Sequence, residues 1–355
     1  MAGPRVCKEC GIPLMVSKAH KWDNNGAIIQ TGKLPIRMSF FDFDRIDSIF
    51  HGLEEMVGVP LERIIVECAR RSARQYVDSM ISSPLRKILK HVGFKLVVGN
   101  LSALGKVLGY GDIRLVESRR RNKQEYQLTF QVTNPHSLTI IRANILGAVE
   151  SIEGCDAYSE LRQLSENQYE VVVRLGSHPV EMRGRLEERR YVYRPGRIEY
   201  ERCPVCHIPL ELAAYRWDLE RGIITQPRSG ERMAFFAPWG LEAMLNELEQ
   251  ELQEAIPDMV IETQRLYARE RLQHITGWRE IEDLFRGLAV KGLGYIVSFA
   301  LDEDHMELTI ENSCLETMLV GTAQGLFELS TGRESSVREW DVTHEDILTV
   351  RVSGR

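Results

Sequence analysis

The sequence Cys-Lys-Glu-Cys-Gly-Ile-Pro-Leu at residues 7–14 recurs as Cys-Pro-Val-Cys-His-Ile-Pro-Leu at residues 203–210. In both places a basic residue, a tryptophan and an aspartate follow, at residues 21–23 and 216–218. The two stretches are copies of one segment, so the chain contains an internal duplication. A duplication of this kind predicts two similar domains that are related by a pseudo-twofold axis.

The similarity between the copies continues almost to the end of the chain. The matched segments are Arg-Met-x-Phe-Phe at 37–41 and 232–236, Glu-x-x-Arg-x-x-x-Arg at 67–74 and 262–269, and Gly-x-x-Glu-x-x-x-Gly at 147–154 and 325–332. We therefore predict a first domain over residues 1–180 and a second over residues 198–355. The stretch between them, 181–197, is charged and has the proline and glycine of a linker near its end. Within this stretch, residues 189–193 are a candidate edge strand.

Composition excludes several classes of protein. The chain has 355 residues, a net charge of −6, 43% hydrophobic and 27% charged residues, which is typical of soluble globular proteins. An acidic balance argues against a nucleic-acid binder, which would be basic. No apolar run approaches the roughly 18 residues of a membrane span, and the N-terminus has no apolar signal region. We expect a cytoplasmic protein, whose reduced cysteines are metal ligands or redox groups before they are disulfides.

Hydrophobic periodicity predicts the same order of elements in each copy. A cysteine knuckle and a hairpin come first, then helices, then alternating strands, a helix with small residues four apart, and a last strand. This order predicts an α+β fold: two duplicated domains, each with helices packed on an antiparallel sheet, related by pseudo-twofold symmetry. The predicted helices lie near 46–57, 60–81, 84–91 and 140–152 in copy one and near 241–252, 257–275, 278–288 and 317–329 in copy two. The predicted strands lie near 113–117, 126–132, 169–174, 295–299, 306–310 and 347–352.

The two cysteine pairs predict a zinc site. Zinc prefers four thiolate or imidazole ligands in a tetrahedron, and a two-residue gap lets one turn present two sulfurs. If the knuckles face each other across the pseudo-axis, Cys7, Cys10, Cys203 and Cys206 form one closed structural site. The alternatives are two separate sites, completed by residues such as His20 or by a second chain, and a vestigial knuckle with free thiols.

Other chemistry-bearing residues have simpler interpretations. Residues 203–207 also spell the haem c attachment pattern, but Gly11 replaces its histidine in copy one, so the pattern is not a property of the repeat. The three remaining cysteines, at 68, 155 and 314, are expected to be small buried apolar residues. The Glu-x-x-Arg-x-x-x-Arg rows predict internal ion-pair ladders, with binding of an anionic group as the alternative. Neither copy repeats a catalytic set, which favours a binding protein over an enzyme.

The last 120–140 residues of each copy resemble a known family. Gly109-Tyr-Gly111 leads to two strands, Asn134-Pro135 and the small-residue helix, and Gly292-Leu-Gly294 leads to the same series in copy two. This resembles the 4-vinyl-reductase-type domain, also called the hydrocarbon-binding domain. The resemblance implies an α+β fold, a largely apolar ligand pocket between helices and sheet, and frequent dimerisation. The cysteine knuckle in front resembles an added zinc ribbon.

The resemblance leads to a prediction of the ligand-lining residues. In copy two the aromatic and sulfur-rich set Tyr295, Phe299, Met306, Met318 and Phe327 suits a flat apolar ligand, although residues at these periods also form cores. The leading hypothesis is a zinc-containing protein that binds a hydrophobic or aromatic small molecule, or a partner protein. The alternatives are an enzyme or enzyme accessory acting on a tetrapyrrole or aromatic substrate, and an assembly scaffold without a small ligand. We expect no nucleic-acid partner and no membrane span, and a homodimer is compatible with the resemblance.

Overall fold

The same series of helices and strands occurs in both copies of this computed structural model, which describes residues 5–32, 34–88, 94–120, 125–178 and 186–355. The helices are α1 Leu14–Ala19, α2 Phe43–Val57, α3 Glu62–Met80, α4 Ser83–Ile88, α5 Phe94–Val107, α6 Leu138–Glu153, α7 Pro238–Leu252, α8 Ile256–Arg271, α9 Trp278–Arg286 and α10 Glu316–Thr331. The strands are β1 His20–Trp22, β2 Ile28–Gln30, β3 Ile36–Asp42, β4 Asp112–Arg119, β5 Gln127–Thr133, β6 Ala157–Ser165, β7 Gln168–Leu175, β8 Arg216–Asp218, β9 Ile223–Thr225, β10 Arg232–Phe236, β11 Tyr295–Leu301, β12 His305–Glu311, β13 Ser335–Val342 and β14 Leu348–Gly354.

Each copy contributes one helix–sheet unit. The first unit (residues 62–178) has the antiparallel sheet β4-β5-β7-β6, and the second unit (residues 256–354) has β11-β12-β14-β13. The long helices of each unit, α3 with α6 and α8 with α10, pack on each other beside the sheet. The predicted α+β fold with two duplicated domains is therefore confirmed. Strands β6 and β13 were not predicted from the sequence. Strand β6 is exposed along most of its length and shows no alternation of apolar residues.

A six-stranded sheet of order β1-β2-β3-β10-β9-β8 joins the copies. At its centre β3 pairs antiparallel with β10, and Phe40 stands directly opposite Phe235. These two phenylalanines occupy equivalent positions in the repeat, and their rings are 4.6 Å apart. The pseudo-twofold axis therefore passes between Phe40 and Phe235.

The two copies exchange their front segments, which we define as residues 5–57 of copy one and 200–252 of copy two. Helix α2 of copy one packs on α8 of the second unit, and α7 of copy two packs on α3 of the first unit. The backbone follows the same exchange: the amide of Phe40 donates to the carbonyl of Lys291 at 2.8 Å, and that of Phe235 donates to Leu108 at 3.0 Å. The predicted domain boundaries follow the sequence repeat, whereas each packed body combines a front segment of one copy with the unit of the other.

An arginine fastens each exchanged front segment to its unit. Arg37 donates hydrogen bonds to the carbonyls of Gly292, Asn312 and Ser313, and its guanidinium lies 4.6 Å from the ring centre of Tyr191. Its equivalent Arg232 donates to the carbonyls of Asn134 and Pro135. The carbonyls of residues 312–313 and 134–135 lie between a strand and the following helix, so each arginine fixes the turn that precedes α10 or α6.

The linker does not form the candidate edge strand at 189–193. Its described part, residues 186–197, has no regular secondary structure, and its backbone binds side chains instead of a neighbouring strand. Val192 N–H donates to Asp346, and Arg194 N–H donates to Asn312. Arg189 anchors this path with ion pairs to Glu242, Glu316 and Asp346. Linker residues 181–185 and residues 89–91 of the predicted third helix lie outside the described residues.

The predicted ion-pair ladders are confirmed. Arg70 pairs with Glu67 on its own helix and with Glu150 on α6, and Arg265 pairs with Glu262 and with Glu328 on α10. Small residues allow the paired helices to come this close. A side chain at Gly321 would clash with the carbonyl of Ile261, so this glycine serves helix contact and does not face a cavity.

Candidate metal centre and cavities

Each cysteine knuckle is a tight turn that is closed by backbone hydrogen bonds. In copy one the amide of Cys7 donates to Ile12 at 2.8 Å, and in copy two the amide of Cys203 donates to Ile208 at 2.9 Å. The residue after the second cysteine has positive φ in both turns, 75° at Gly11 and 61° at His207. This left-handed position turns the chain back, so that both sulfurs of a pair point to the same side.

The two knuckles face each other next to the six-stranded sheet. The sulfurs of Cys7 and Cys203 are 3.7 Å apart, those of Cys10 and Cys206 are 3.4 Å apart, and all four lie within 4.8 Å of one another. Tetrahedral coordination with metal–sulfur bonds of about 2.3 Å places sulfurs about 3.8 Å apart. The four cysteines are therefore positioned to bind one metal ion, as the duplicated motif predicted.

The pKa values of two thiols in this cluster are shifted in opposite directions. A hydrogen bond from the Cys10 backbone lowers the pKa of Cys7 to about 7, whereas burial raises the pKa of Cys10 to about 12. Four thiolates in one small volume repel each other, and a divalent cation compensates this repulsion and displaces the thiol protons. The arrangement thus favours a metal-bound state over four free thiols.

The alternative ligands lie elsewhere. His20 is buried against Phe235, and its Nδ1 donates to the carbonyl of Val16 at 3.1 Å, so it does not complete a second site. Cys68 lies beside Arg71, and Cys314 is fully buried against Ser39. Among the described residues, no other group of three or more metal-ligating side chains comes together.

A cavity of about 210 Å³ lies in the first unit beneath the front segment of copy two. Helices α3, α5 and α6 and strands β4 and β5 form its floor and walls, and the start of α7 closes it. Most lining side chains are aliphatic or aromatic. The exchange of front segments therefore builds this cavity from both copies.

Two buried polar side chains in this cavity lack hydrogen bonds. Within the described residues, neither ring nitrogen of His136 nor Nε1 of Trp239 has a hydrogen bond of normal geometry, although both residues line the cavity. The backbone of Tyr110 lies near enough to His136 to act on its pKa without forming such a bond. The His136 ring is stacked on Tyr110, with centres 4.7 Å apart, and meets the edge of Phe43 at 3.9 Å. Burial holds the pKa of His136 well below its ordinary value of 6.5, so the imidazole is neutral.

The sequence-predicted ligand residues lie in the core of copy two. Met306, Met318 and Phe327 are buried, Phe299 packs on Phe285, and the hydroxyl of Tyr295 donates to Glu311 at 2.7 Å. None of these five predicted residues lines the 210 Å³ cavity. Contact between these five residues and a ligand stays a prediction. The large side chains that suggested a ligand site also fill the core of copy two.

The residues that line the 210 Å³ cavity of the first unit, called the copy-one cavity below, were not predicted from the sequence. Differences between the two copies nevertheless indicate them. Ala148 and Val149 stand where copy two has Leu326 and Phe327, and His136 stands where it has Cys314. Smaller side chains on the same helix leave space in copy one that copy two fills. A comparison of side-chain sizes at equivalent positions of the two copies therefore indicates where the cavity lies.

Comparisons with known proteins give little further information. No family model and no curated protein matches the chain. Two solved structures are similar: a Cs H-NOX mutant with the unnatural amino acid 4-cyano-L-phenylalanine at site 5 (13% identity, 37% of this chain, 80% of that chain, TM-score 0.27), and an H-NOX family structure that probes the function of haem distortion (12%, 33%, 71%, TM-score 0.24). Likeness at this level carries no argument about function. Of the helices in the described residues, none has the length and apolar character of a membrane span.

Proposed function

We propose that this protein binds a small, largely apolar molecule in the copy-one cavity and holds one structural zinc ion at its cysteine cluster. The cavity carries the first part of the proposal: an apolar space contains two buried polar groups, on His136 and Trp239, without partners. Buried polar atoms are rarely left unpaired, because each unmade hydrogen bond costs about 1–3 kcal/mol. A ligand that pairs with them removes this cost.

The volume limits the size of this ligand. Drug-sized ligands occupy pockets of about 300–1,000 Å³, and an engineered cavity of about 150 Å³ binds benzene. The cavity here, about 210 Å³, suits a single ring or a short chain. It is too small for a tetrapyrrole, so the tetrapyrrole alternative has no support from this site.

The polar groups define the head of the ligand. The indole N–H of Trp239 is a donor only, and a neutral imidazole offers one donor and one acceptor. A hydroxyl or carbonyl group on an otherwise apolar body matches both side chains. Stacking on Tyr110 holds the His136 ring in one orientation, which lowers the entropic cost of binding.

The cysteine cluster supports a structural role for zinc. It offers four protein sulfurs and therefore a closed tetrahedron with no open position for a substrate. One pair comes from each copy, so the ion would join the two front segments at the pseudo-axis. No catalytic step is assigned to it.

Filling the cavity tests the proposed ligand site. We expect Ala148→Leu, which introduces the residue of copy two, to abolish retention of any co-purifying small molecule and to lower affinity for probes such as benzyl alcohol by about tenfold or more. Native mass spectrometry detects retained molecules, and calorimetry measures the probe. Ala103→Leu, on the exposed side of α5, is the matched control.

Three results would separate the hypotheses. Unchanged probe affinity in Ala148→Leu, with zinc content and helicity preserved, would contradict the ligand site. Turnover of an aromatic compound by the wild-type protein would favour the enzyme alternative. Zinc without any bound or added ligand would favour the scaffold.

The neutral state of His136 predicts a specific dependence of stability on pH. Because its pKa is depressed in the folded protein, the unfolded chain binds more protons below pH 6.5, and stability is lost as the pH falls. Relative to wild type, His136→Phe should lose less of its free energy of unfolding between pH 7 and 5, by up to about 1.4 kcal/mol for each pH unit below the ordinary pKa. Urea unfolding at several pH values measures this difference. Parallel curves for the two proteins would show that His136 is not buried in the neutral form.

A further inference from the structure

The second unit has its own cavity at the position related by the pseudo-twofold axis. It measures about 170 Å³ and lies between α9 and α10, beneath the front segment of copy one and beside the loop between β9 and β10. Leu284, Leu288 and Leu319 line it, at positions equivalent to Leu101, Gly105 and Ile141 of the first cavity. The duplication has therefore kept two cavities, and their linings can be compared residue by residue.

The comparison shows a change from apolar to charged lining. Asp42, Arg45 and Lys291 of the second cavity stand where the first has Ala237, Gly240 and Leu108. Charged residues in a partly buried cavity normally have a partner of opposite charge, because the desolvation of an unpaired charge is unfavourable. This cavity is thus not a second copy of the apolar site.

Two of these charges already have partners. Asp42 accepts hydrogen bonds from the hydroxyl of Tyr267 at 2.6 Å and from the amide of Asp44 at 3.0 Å. Arg45 donates to Thr322 at 3.1 Å, and its guanidinium lies 5.1 Å from the ring centre of Tyr267. Both side chains are therefore held in place at the wall of the cavity.

Lys291 is different, because its ammonium group forms no ion pair with any described residue. It lies in the cavity wall, and its backbone, which binds Phe40, is fixed independently of its side chain. Burial lowers the pKa of Lys291, although the carboxylates of Glu231 and Asp42 act in the opposite direction without forming an ion pair with it. A bound anion would supply a close counter-charge.

The charges that line the cavity indicate how much negative charge a ligand should carry. Three cations, Arg45, Arg228 and Lys291, face two carboxylates, those of Asp42 and Glu231. A ligand with a single negative charge balances these five side chains. The inner wall is apolar and includes Phe285, Leu288 and Leu319, so the rest of the ligand should be apolar as well.

We propose that the second cavity binds a small monocarboxylate with a short apolar body. The carboxylate accepts hydrogen bonds from Lys291, and the apolar body lies against the leucines and Phe285. This site does not depend on the ligand of the first cavity, because the two cavities lie in different units and share no lining residue.

The test uses benzoate, with toluene as the uncharged probe of similar shape. We expect benzoate to bind the full-length zinc-loaded protein with one site that Lys291→Leu weakens by about tenfold or more, since a charge-assisted hydrogen bond is lost. Leucine is the residue type of the equivalent position in copy one, so the backbone accepts it. Calorimetry at constant ionic strength measures the affinity, and zinc content and circular dichroism check the fold.

Control variants distinguish the second cavity from the first, and Lys291 from an exposed lysine. Lys95→Leu removes an exposed lysine of α5 and should leave benzoate affinity unchanged. If Lys291→Leu fails to fold, Lys291→Gln gives the same comparison. The proposal is overturned if neither benzoate nor butanoate binds at millimolar concentration, or if Ala148→Leu in place of Lys291→Leu removes benzoate binding. It is also overturned if toluene binds as well as benzoate to the Ala148→Leu protein, in which the first cavity is filled.

Discussion

The Cys203→Ser variant is expected to lose its metal ion and much of its stability. The cluster draws one sulfur pair from each front segment, so loss of one ligand breaks the connection between the copies as well as the site. Structural zinc sites contribute about 10–16 kcal/mol to folding in small peptides, and loss of one ligand should lower the free energy of unfolding here by at least about 3 kcal/mol. Elemental analysis should find about one zinc ion per wild-type chain and far less in the variant.

Cys155→Ser is the matched control, because Cys155 is a half-buried cysteine outside the cluster. It should keep its zinc and its stability within about 0.5–1 kcal/mol of wild type. Equal stability of Cys203→Ser and Cys155→Ser, or a wild-type protein that purifies without metal under reducing conditions, would contradict the structural site. Two zinc ions per chain would contradict the shared site.

A second large effect is expected from Arg37→Met. This change removes the guanidinium donor from the carbonyls of Gly292, Asn312 and Ser313, and it removes the contact with Tyr191. The Gly292 carbonyl keeps the long contacts with Ser39 and Cys314, whereas those of Asn312 and Ser313 lose their buried donor. Each buried acceptor that loses its partner costs about 1–3 kcal/mol, so we expect a loss of about 3–5 kcal/mol in the free energy of unfolding. Denaturant unfolding, followed by circular dichroism, measures it.

The duplication provides a matched comparison in Arg232→Met. Arg232 binds only two carbonyls and is less buried than Arg37, so its replacement should cost about half as much. The order of the two effects is the decisive result. If Arg232→Met destabilises the protein more than Arg37→Met, the two arginines do not act by satisfying buried carbonyls.

The repeat in the sequence was sufficient to predict the fold class and to bring the cysteines together. Because the Cys7 and Cys203 knuckles stand at equivalent positions, a twofold axis that relates the copies can place them face to face. The ion-pair rows that begin at Glu67 and Glu262 were also readable, since residues three and four apart share a helix face. These predictions depend on local spacing, which the sequence states directly.

The exchange of front segments was not readable, for a physical reason. Helices α2 and α7 carry the same apolar face, because they are copies, and either unit can bury either helix. The cavities escaped prediction for a related reason: an apolar residue on a helix predicts burial, whereas empty space depends on the fit among several helices. The predicted edge strand at 189–193 was wrong because the side chains of Asp346 and Asn312, which are distant in sequence, bind the backbone there.

The exchange also indicates how such a protein could arise and what its fusion made possible. In a single copy without the other, the front segment has no second unit to pack on, and the unit has no front segment packed on it. Two identical chains would therefore complete each other as a symmetric dimer. In that dimer every substitution appears twice, and both cavities must be the same. Joining the copies in one chain removes this constraint: Gly240 and Arg45 can differ although they stand at equivalent positions. One fold can then carry two cavities with different linings around a single shared cysteine cluster.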